Sequence, residues 1–321
     1  MAPRPVMTAL ASDRRYCCTN VKRVIILAEL VALCLITSAA AQKPERFRTE
    51  ARLVVLNVTV TNSRGDLITN LDRGAFRVYE DGREQSITIF RRDDVPVSLG
   101  LIIDNSRSMG PVRQAVEATA LAFVRASNPL DEVFVLNFAD RSRIDVPFTS
   151  DMHVLEAGIA SVNSIGGTAV RDAILVGERY LSHYAKHERR AMLAITDGAD
   201  TASYLSLAEL RKALDKSTAS VFSVGLTDGT QSSRADGFDK DLEQLIKRTG
   251  GVHRVARMSE VNGVMLEIAH QIRNEYTIAY APSNQSLDGS YRAVQIKIGY
   301  PGGLTARTRA GYWALAAKSA R

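Results

Sequence analysis

Beyond residue 34 the sequence contains no cysteine: Cys17, Cys18 and Cys34 account for all three. Structural disulfides, thiolate zinc sites and a cysteine nucleophile are therefore excluded from residues 35–321. Histidine is scarce, at five residues, and aromatics make up only 6%. No apolar run reaches the ~20 residues that a membrane-spanning helix needs. The best candidate, residues 24–37, has 14 residues and includes Glu29. Charge of one sign does not accumulate either. Of the formal +6, residues 1–41 hold five basic and two acidic groups, leaving 36 basic against 33 acidic over the remaining 280. A nearly neutral body lacks the basic footprint of a nucleic-acid-binding protein. The sequence has no His-Glu-x-x-His, no Walker-type glycine loop, and no Ser-His-Asp set with motif support. What remains, 45% hydrophobic and 24% charged, is ordinary globular composition, long enough for about two domains.

The amino terminus reads as an address. Lys22-Arg23 precedes the apolar run 24–37, and Ser38-Ala39-Ala40-Ala41-Gln42 follows it. Basic, apolar, then small residues ending in Ala-x-Ala is the pattern of a signal peptide, cleaved here after Ala41. The expectation is an exported protein, secreted or periplasmic, and a body without thiols fits a bacterial envelope. Membrane contact is expected only if the run stays uncleaved as an anchor.

The body reads as β, then α/β, then β. In residues 53–61 (LVVLNVTVT) Val54, Leu56, Val58 and Val60 fall on one face, as in a half-buried strand. Residues 76–80 and 85–90 read as two strands of a hairpin turning at Asp81-Gly82. From residue 97 the pattern changes. Continuous apolar runs at 97–103, 132–138, 191–195 and 220–224 suit strands buried on both faces. They alternate with helix-periodic segments at 112–126, 152–162, 170–184, 205–214, 238–249 and 261–275, with 143–146 a short edge strand. Strands alternating with helices predict a doubly wound, mostly parallel sheet flanked by helices. Residues 276–280, 292–300 and 304–309 return to strand. Neither β flank has enough strands to be stable alone, so the two are expected to pair into one small sandwich-like all-β domain. The expected division is 1–41 signal peptide, 42–95 N-terminal β segment, 96–275 α/β domain and 276–321 C-terminal β segment.

One constellation carries chemistry. The run 97–103 ends in Asp104-Asn105-Ser106-Arg107-Ser108, and the run 191–195 ends in Thr196-Asp197-Gly198. Ligands of open α/β sheets bind at such carboxyl ends of strands. Between them Gly166-Gly167-Thr168 opens a helix. Two carboxylates and three hydroxyls, with no sulfur or imidazole, suit a hard divalent cation such as Mg²⁺. Other signals have plainer readings. Arg64-Gly65-Asp66 is a turn between strands, His183 and His187 lie at a solvated helix end, and Tyr312-Trp313 packs on the β strands.

The stretches LIIDNSRSM, GGTAVRDAI and LAITDGADT resemble, in order and spacing, the metal-ion-dependent adhesion site of the von Willebrand factor A domain. The resemblance covers about residues 96–275. It implies Asp104, Ser106, Ser108, Thr168 and Asp197 as the metal set for Mg²⁺ or Mn²⁺, with one position left for a carboxylate of a partner. Asn105, Arg107 and Gly167 are expected at the rim, Arg107 standing where small residues are frequent in the family, and Asp200, on the loop after Asp197, is expected either there or as a loop-turn residue. The flanking stretches RLVVLNVTVTNSRGDLITNL, FRVYEDGREQSI, YTIAYAPS and RAGYW are similar to exported bacterial proteins of the acidobacterial "VWFA-related" type. The function so implied is metal-dependent capture of an Asp or Glu side chain on a protein or peptide partner, in adhesion, without catalysis. A Mg²⁺-dependent hydrolase or phosphoryl enzyme, or a structural subunit of an envelope assembly, stands as the alternative.

Overall fold

Eight consecutive buried residues, Val97–Asp104, form strand β5 at the middle of the molecule. The computed structural model describes residues 53–92, 94–160, 165–197, 200–227 and 235–315, with the side chains of 235–239 left aside. The chain divides into two units, Met1–Glu50 and Ala51–Arg321, and all the described residues belong to the second. The expected signal peptide and the three cysteines lie outside the described residues. Among the described residues no helix is long and apolar enough to cross a membrane.

The central sheet is built from β5, β6 (Glu132–Phe138), β7 (Ser142–Thr149), β8 (Arg189–Thr196), β9 (Ser220–Thr227) and β10 (His253–Arg257), in the order β10-β9-β8-β5-β6-β7. All neighbours are parallel except the hairpin β6–β7. The chain winds outward from β5 in both directions, so the strand order reverses there, and a crevice opens at the carboxyl ends of β5 and β8. The alternation along β5 serves two cores. Leu99, Leu101 and Ile103 join α1 (Arg113–Arg125), α2 (Met152–Ala160) and α6 (Val261–Arg273) on one face. Ile102 joins α3 (Val170–Tyr184), α4 (Leu207–Leu214) and α5 (Ala235–Thr249) on the other. A Ser206–Glu209 capping box starts α4, satisfying two otherwise orphaned N–H groups.

Two antiparallel four-stranded sheets complete the unit. One has the order β13-β1-β11-β4, the other β14-β12-β2-β3. Strands β1 (Val54–Thr61), β2 (Phe76–Glu80), β3 (Arg83–Gln85) and β4 (Ile87–Arg91) precede the α/β region. Strands β11 (Tyr276–Tyr280), β12 (Tyr291–Ile298), β13 (Thr305–Arg307) and β14 (Gly311–Trp313) follow it. Each sheet thus pairs strands from both flanks: β1 lies against β11 and β13, and β12 against β2. One core joins them: Val54, Leu56, Val58 and Val60 of β1, with Tyr276 and Tyr280 of the neighbouring β11, cluster with Phe76 and Val78 of the other sheet. Glu80, buried within it, accepts hydrogen bonds from the hydroxyls of Tyr280 (2.7 Å) and Tyr312 (2.8 Å).

The segment expected as one strand at 85–90 is divided. Asp81 (φ 48) and Gly82 (φ 79) make a turn with two positive φ angles between β2 and β3, the form that matches strand twist. The chain then changes sheets at Ser86 and continues as β4 against β11. Gln85 holds this corner, accepting from Ser283 N (2.9 Å) and donating to Ser283 Oγ (3.1 Å). Residues 62–66 form a turn in which Asn62 Oδ1 accepts from Arg64 N and Asp66 N.

The seam between helix α6 and strand β11 is polar and buried. Glu275, 3% exposed, stands there with Arg189 and Arg307. Arg189 donates to Glu275 O (3.0 Å) and Thr277 Oγ1 (2.8 Å). Arg307 donates to Gly250 O (2.8 Å) and Gln271 Oε1 (3.0 Å). Burial pushes the Glu275 carboxyl from 4.5 up to about 7, against the pull of the two guanidiniums. The folded state therefore keeps this proton through an interval where the unfolded chain has lost it. Stability from this group is full below about pH 4.5 and is lost as pH rises to about 7, by up to about 3 kcal/mol at 1.36 kcal/mol per unit. Urea midpoints measured from pH 4.5 to 8 are expected to fall less steeply in Glu275→Gln than in the native protein. Equal slopes would remove Glu275 as their source.

Candidate metal centre

Strand pairing brings two carboxylates together. Ile103 pairs with Ile195 across β5 and β8, so Asp104 and Asp197 leave adjacent strand ends. Asp104 is fully buried. Its Oδ1 accepts from Ser106 N at 2.7 Å and its Oδ2 from Thr196 Oγ1 at 2.7 Å. Ser106 precedes a 3₁₀ turn at Arg107–Val112, which swings Ser108 back toward the strand end. The Ser106 and Ser108 hydroxyls lie 3.1 Å apart, and Ser108 Oγ donates to Asp197 Oδ1 at 2.8 Å. One hydrogen-bonded chain thus runs Thr196–Asp104–Ser106–Ser108–Asp197.

The glycine loop is fastened to the same place. Ile165 N donates to Asn105 O (3.0 Å), and Arg107 N to Gly166 O (3.2 Å). Gly166 has φ +96, and a Cβ there would meet Asp140 Oδ2 at 2.3 Å. Asp140, from the β6–β7 hairpin, accepts from Gly167 N at 2.7 Å. Thr168 follows, buried at 5% exposure. Thr201 holds its backbone on both sides: Thr168 N donates to Thr201 Oγ1 (3.0 Å), and Thr168 O accepts from Thr201 N (2.8 Å). The Thr168 hydroxyl has no hydrogen bond among the described residues.

Four of the five expected ligands therefore stand in one chain, with Thr168 on a loop tied to it. The rim residues divide. Arg107 is exposed and Gly167 half-buried. Asn105 faces inward, against expectation, and Asp200 takes the loop-turn place that was the alternative to the rim. Asn105 is 2% exposed, donates to Asn137 Oδ1 (2.8 Å) and accepts from Arg113. The Asp200 side chain is 1% exposed. It accepts from Arg171 N (2.9 Å), Ser203 N (3.0 Å) and Ser203 Oγ (2.6 Å), and so closes the start of α3. Sequence reasoning missed Asp140, Thr196 and Arg113. Thr196 alone had a signal, as the last residue of a buried strand beside Asp197.

The electrostatics of the pair are unbalanced. Burial pushes Asp104 from 3.8 up to about 6, and the Asp197 charge adds to the rise. Burial also raises Asp197. Neither carboxylate has a basic partner among the described residues. Their other neighbours are hydroxyls and a backbone N–H, which cannot neutralise them.

Residues 99–199 match the family model of the von Willebrand factor type A domain. The chain carries a von Willebrand factor type A domain. The match runs from within β5 to the loop after β8 and so takes in all five candidate ligands. No curated protein matches the sequence. Similar solved structures include the conserved hypothetical protein BatB from Bacteroides thetaiotaomicron, at 21% identity and TM-score 0.44 over 55% of this chain and 97% of that one. A von Willebrand factor type A protein from Catenulispora acidiphila is 13% identical, with TM-score 0.48 over 81% of this chain and 74% of its own. Proximal thread matrix protein 1 from mussel byssus, with a zinc-occupied MIDAS motif, is 17% identical, with TM-score 0.48 over 60% and 50%.

The donor chemistry of this A domain is consistent with a hard cation. Among the described residues no three His, Cys, Asp or Glu side chains gather into a metal-sized group, so a carboxylate cage or imidazole site is absent from them. The cluster instead offers two carboxylates, two hydroxyls in contact and a nearby third. Oxygen-only donors of this kind suit a hard divalent cation.

Proposed function

We propose that this protein is an exported, metal-dependent binding module of the cell envelope, in which Asp104, Ser106, Ser108, Thr168 and Asp197 hold Mg²⁺ or Mn²⁺. In this reading residues 1–41 direct export, 96–275 form the A domain, and 42–95 with 276–321 form the β domain that carries it. The observation behind the reading is the pair of carboxylates, Asp104 buried and Asp197 half-buried, with no basic counter-charge among the described residues, joined through two serine hydroxyls at the sheet's reversal point. A dication would supply the missing charge. Neutral serine and threonine ligands leave it under-compensated, and at short range in a reduced dielectric that residual charge attracts an anionic oxygen. A protein or peptide partner presenting one Asp or Glu satisfies that demand, and no catalysis is required of the site.

The test is thermal and calorimetric. Mn²⁺ at about 100 times its dissociation constant is expected to stabilise the native chain by about 2.7 kcal/mol, read as a rise in Tm. Asp197→Ala should lose the rise, and Ser106→Ala should weaken the titrated affinity. A Tm indifferent to Mg²⁺ and Mn²⁺ would overturn the metal reading. Partner capture that survives EDTA would favour assembly through a packed face instead.

A further inference from the structure

Three exposed side chains stand on the loops hydrogen-bonded to the candidate metal centre, without any part in its hydrogen-bonded chain. Arg107 lies between Ser106 and Ser108, with its backbone fixed to Gly166. Its side chain is exposed and makes no ion pair or hydrogen bond among the described residues. Arg83, Arg91, Arg141, Arg179 and Arg257 are likewise exposed; what sets Arg107 apart is its place between two of the candidate metal ligands. Ile165 is 67% exposed although its N–H is tied to Asn105. Tyr204 is 95% exposed, on the loop whose Thr201 grips Thr168; its N–H donates to Asp172 Oδ2 at 3.0 Å. Each backbone is held by a named bond, so the three side chains project from fixed points.

We propose that Arg107, Ile165 and Tyr204 select the partner: an acidic peptide segment carrying a second carboxylate within a residue or two of the one offered to the metal, with an apolar side chain seated on Ile165 and Tyr204. This rests on the metal-bound carboxylate reading above. The charge argument is local. Arg107 adds an unpaired cation beside an under-compensated dication, and a single carboxylate can answer only one of them. Arg presents a planar fork of donors that matches a carboxylate, and it does not deprotonate. An exposed isoleucine and tyrosine on loops tied to the centre give the peptide something to desolvate, and the aromatic does so at low conformational cost.

The experiment is selection of displayed random peptides on the whole chain in Mn²⁺, with elution by EDTA, run in parallel on the native protein and on Arg107→Glu. The native selection is expected to give two acidic positions close together with an apolar residue nearby. The Arg107→Glu selection is expected to keep one acid and to replace the second with Lys or Arg. A synthetic copy of the leading native peptide should bind Arg107→Ala about tenfold more weakly, compared at Mn²⁺ saturating for each variant. Ile165→Ala with Tyr204→Ala should erase the apolar preference. The same motif from both selections, or a single-acid motif from the native protein, would overturn the proposal. The Mn²⁺ shift in the native Tm separates the two failures: with the shift present, absence of EDTA-eluted peptides refutes the rim; with the shift absent, the metal reading falls and the rim with it.

Discussion

Asp104→Asn is expected to abolish Mg²⁺ and Mn²⁺ binding and, in the same protein, to raise the Tm measured in EDTA. The two effects have one cause. Asp104 is a buried carboxylate with no basic partner among the described residues, next to a second raised carboxylate. Burial holds it at about 6 against its ordinary 3.8, which corresponds to at most about 3 kcal/mol of cost to the charged form near neutral pH. Asparagine has the same shape without the charge. Its oxygen can keep the 2.7 Å bond from Ser106 N, and its amide can donate to the Thr196 hydroxyl, which rotates to accept. The metal-free fold should therefore gain stability, while affinity for the cation should fall by more than about a hundredfold, beyond the loss seen for residues that only orient a ligand. Asp104→Ala provides the contrast. It removes the charge but leaves the Ser106 N–H and Thr196 hydroxyl unpaired, each costing about 1–3 kcal/mol, so its Tm should drop. Differential scanning calorimetry with EDTA and with Mn²⁺ reads both. An Asn variant less stable than native in EDTA would mean that the pocket is built for a carboxylate as such and not for a carboxylate plus a cation.

How far this site was legible depends on where each residue stands in the chain. Asp104, Ser106 and Ser108 belong to one contiguous turn after a run of buried strand, and Asp197 ends another, so sequence order carried them. The same holds for β5 and for the alternating Val54, Leu56, Val58 and Val60, because burial on two faces and on one face leave different patterns. Asp140 left no trace. It sits on a hairpin tip, and its role emerges only where Gly166, at φ +96, is pressed against it. Asp200 was ambiguous through proximity. Three residues after Asp197 it shares the loop, yet its carboxylate is consumed by Arg171 and Ser203 at the start of α3. Asn105 was misplaced for a similar reason, since Asn137 and Arg113, distant in sequence, draw it inward. The break between β3 and β4 was invisible because a single β-like run crosses a sheet corner that Ser283, about 200 residues away, holds in place.

Gly251→Ala is expected to be the most damaging methyl addition in the molecule's core. The turn from α5 into β10 lies flush on β9. Gly250, at φ +93, reverses the chain, with its N–H on Lys247 O. Thr249 Oγ1 accepts from Val221 N at 2.9 Å, and Val252 O accepts from Ser223 N at 3.0 Å. These bonds leave no gap above β9: a Cβ on Gly251 would stand 1.7 Å from Val221 O and 2.5 Å from its carbonyl carbon. The obstacle is backbone inside a sheet, so it cannot rotate away as a side chain would. Relief requires breaking the Thr249 and Val252 bonds and lifting β10, and a cost above about 4 kcal/mol follows, in the range reserved for core strain. Gly250→Ala should cost less, about 1–2 kcal/mol for a left-handed non-glycine, plus strain against Thr308 and Arg309, whose backbone atoms lie 3.0 Å from the new Cβ. Gly263→Ala is the control. It lies within helix α6 with nothing within 4 Å of its Cβ, so alanine there should stabilise by up to about 1 kcal/mol. Urea denaturation of the three variants should rank them in that order. A Gly251→Ala protein with a native midpoint would show that β10 and the α5 turn can part from β9 without cost, and that the edge of the A domain's sheet is not held by the contacts described.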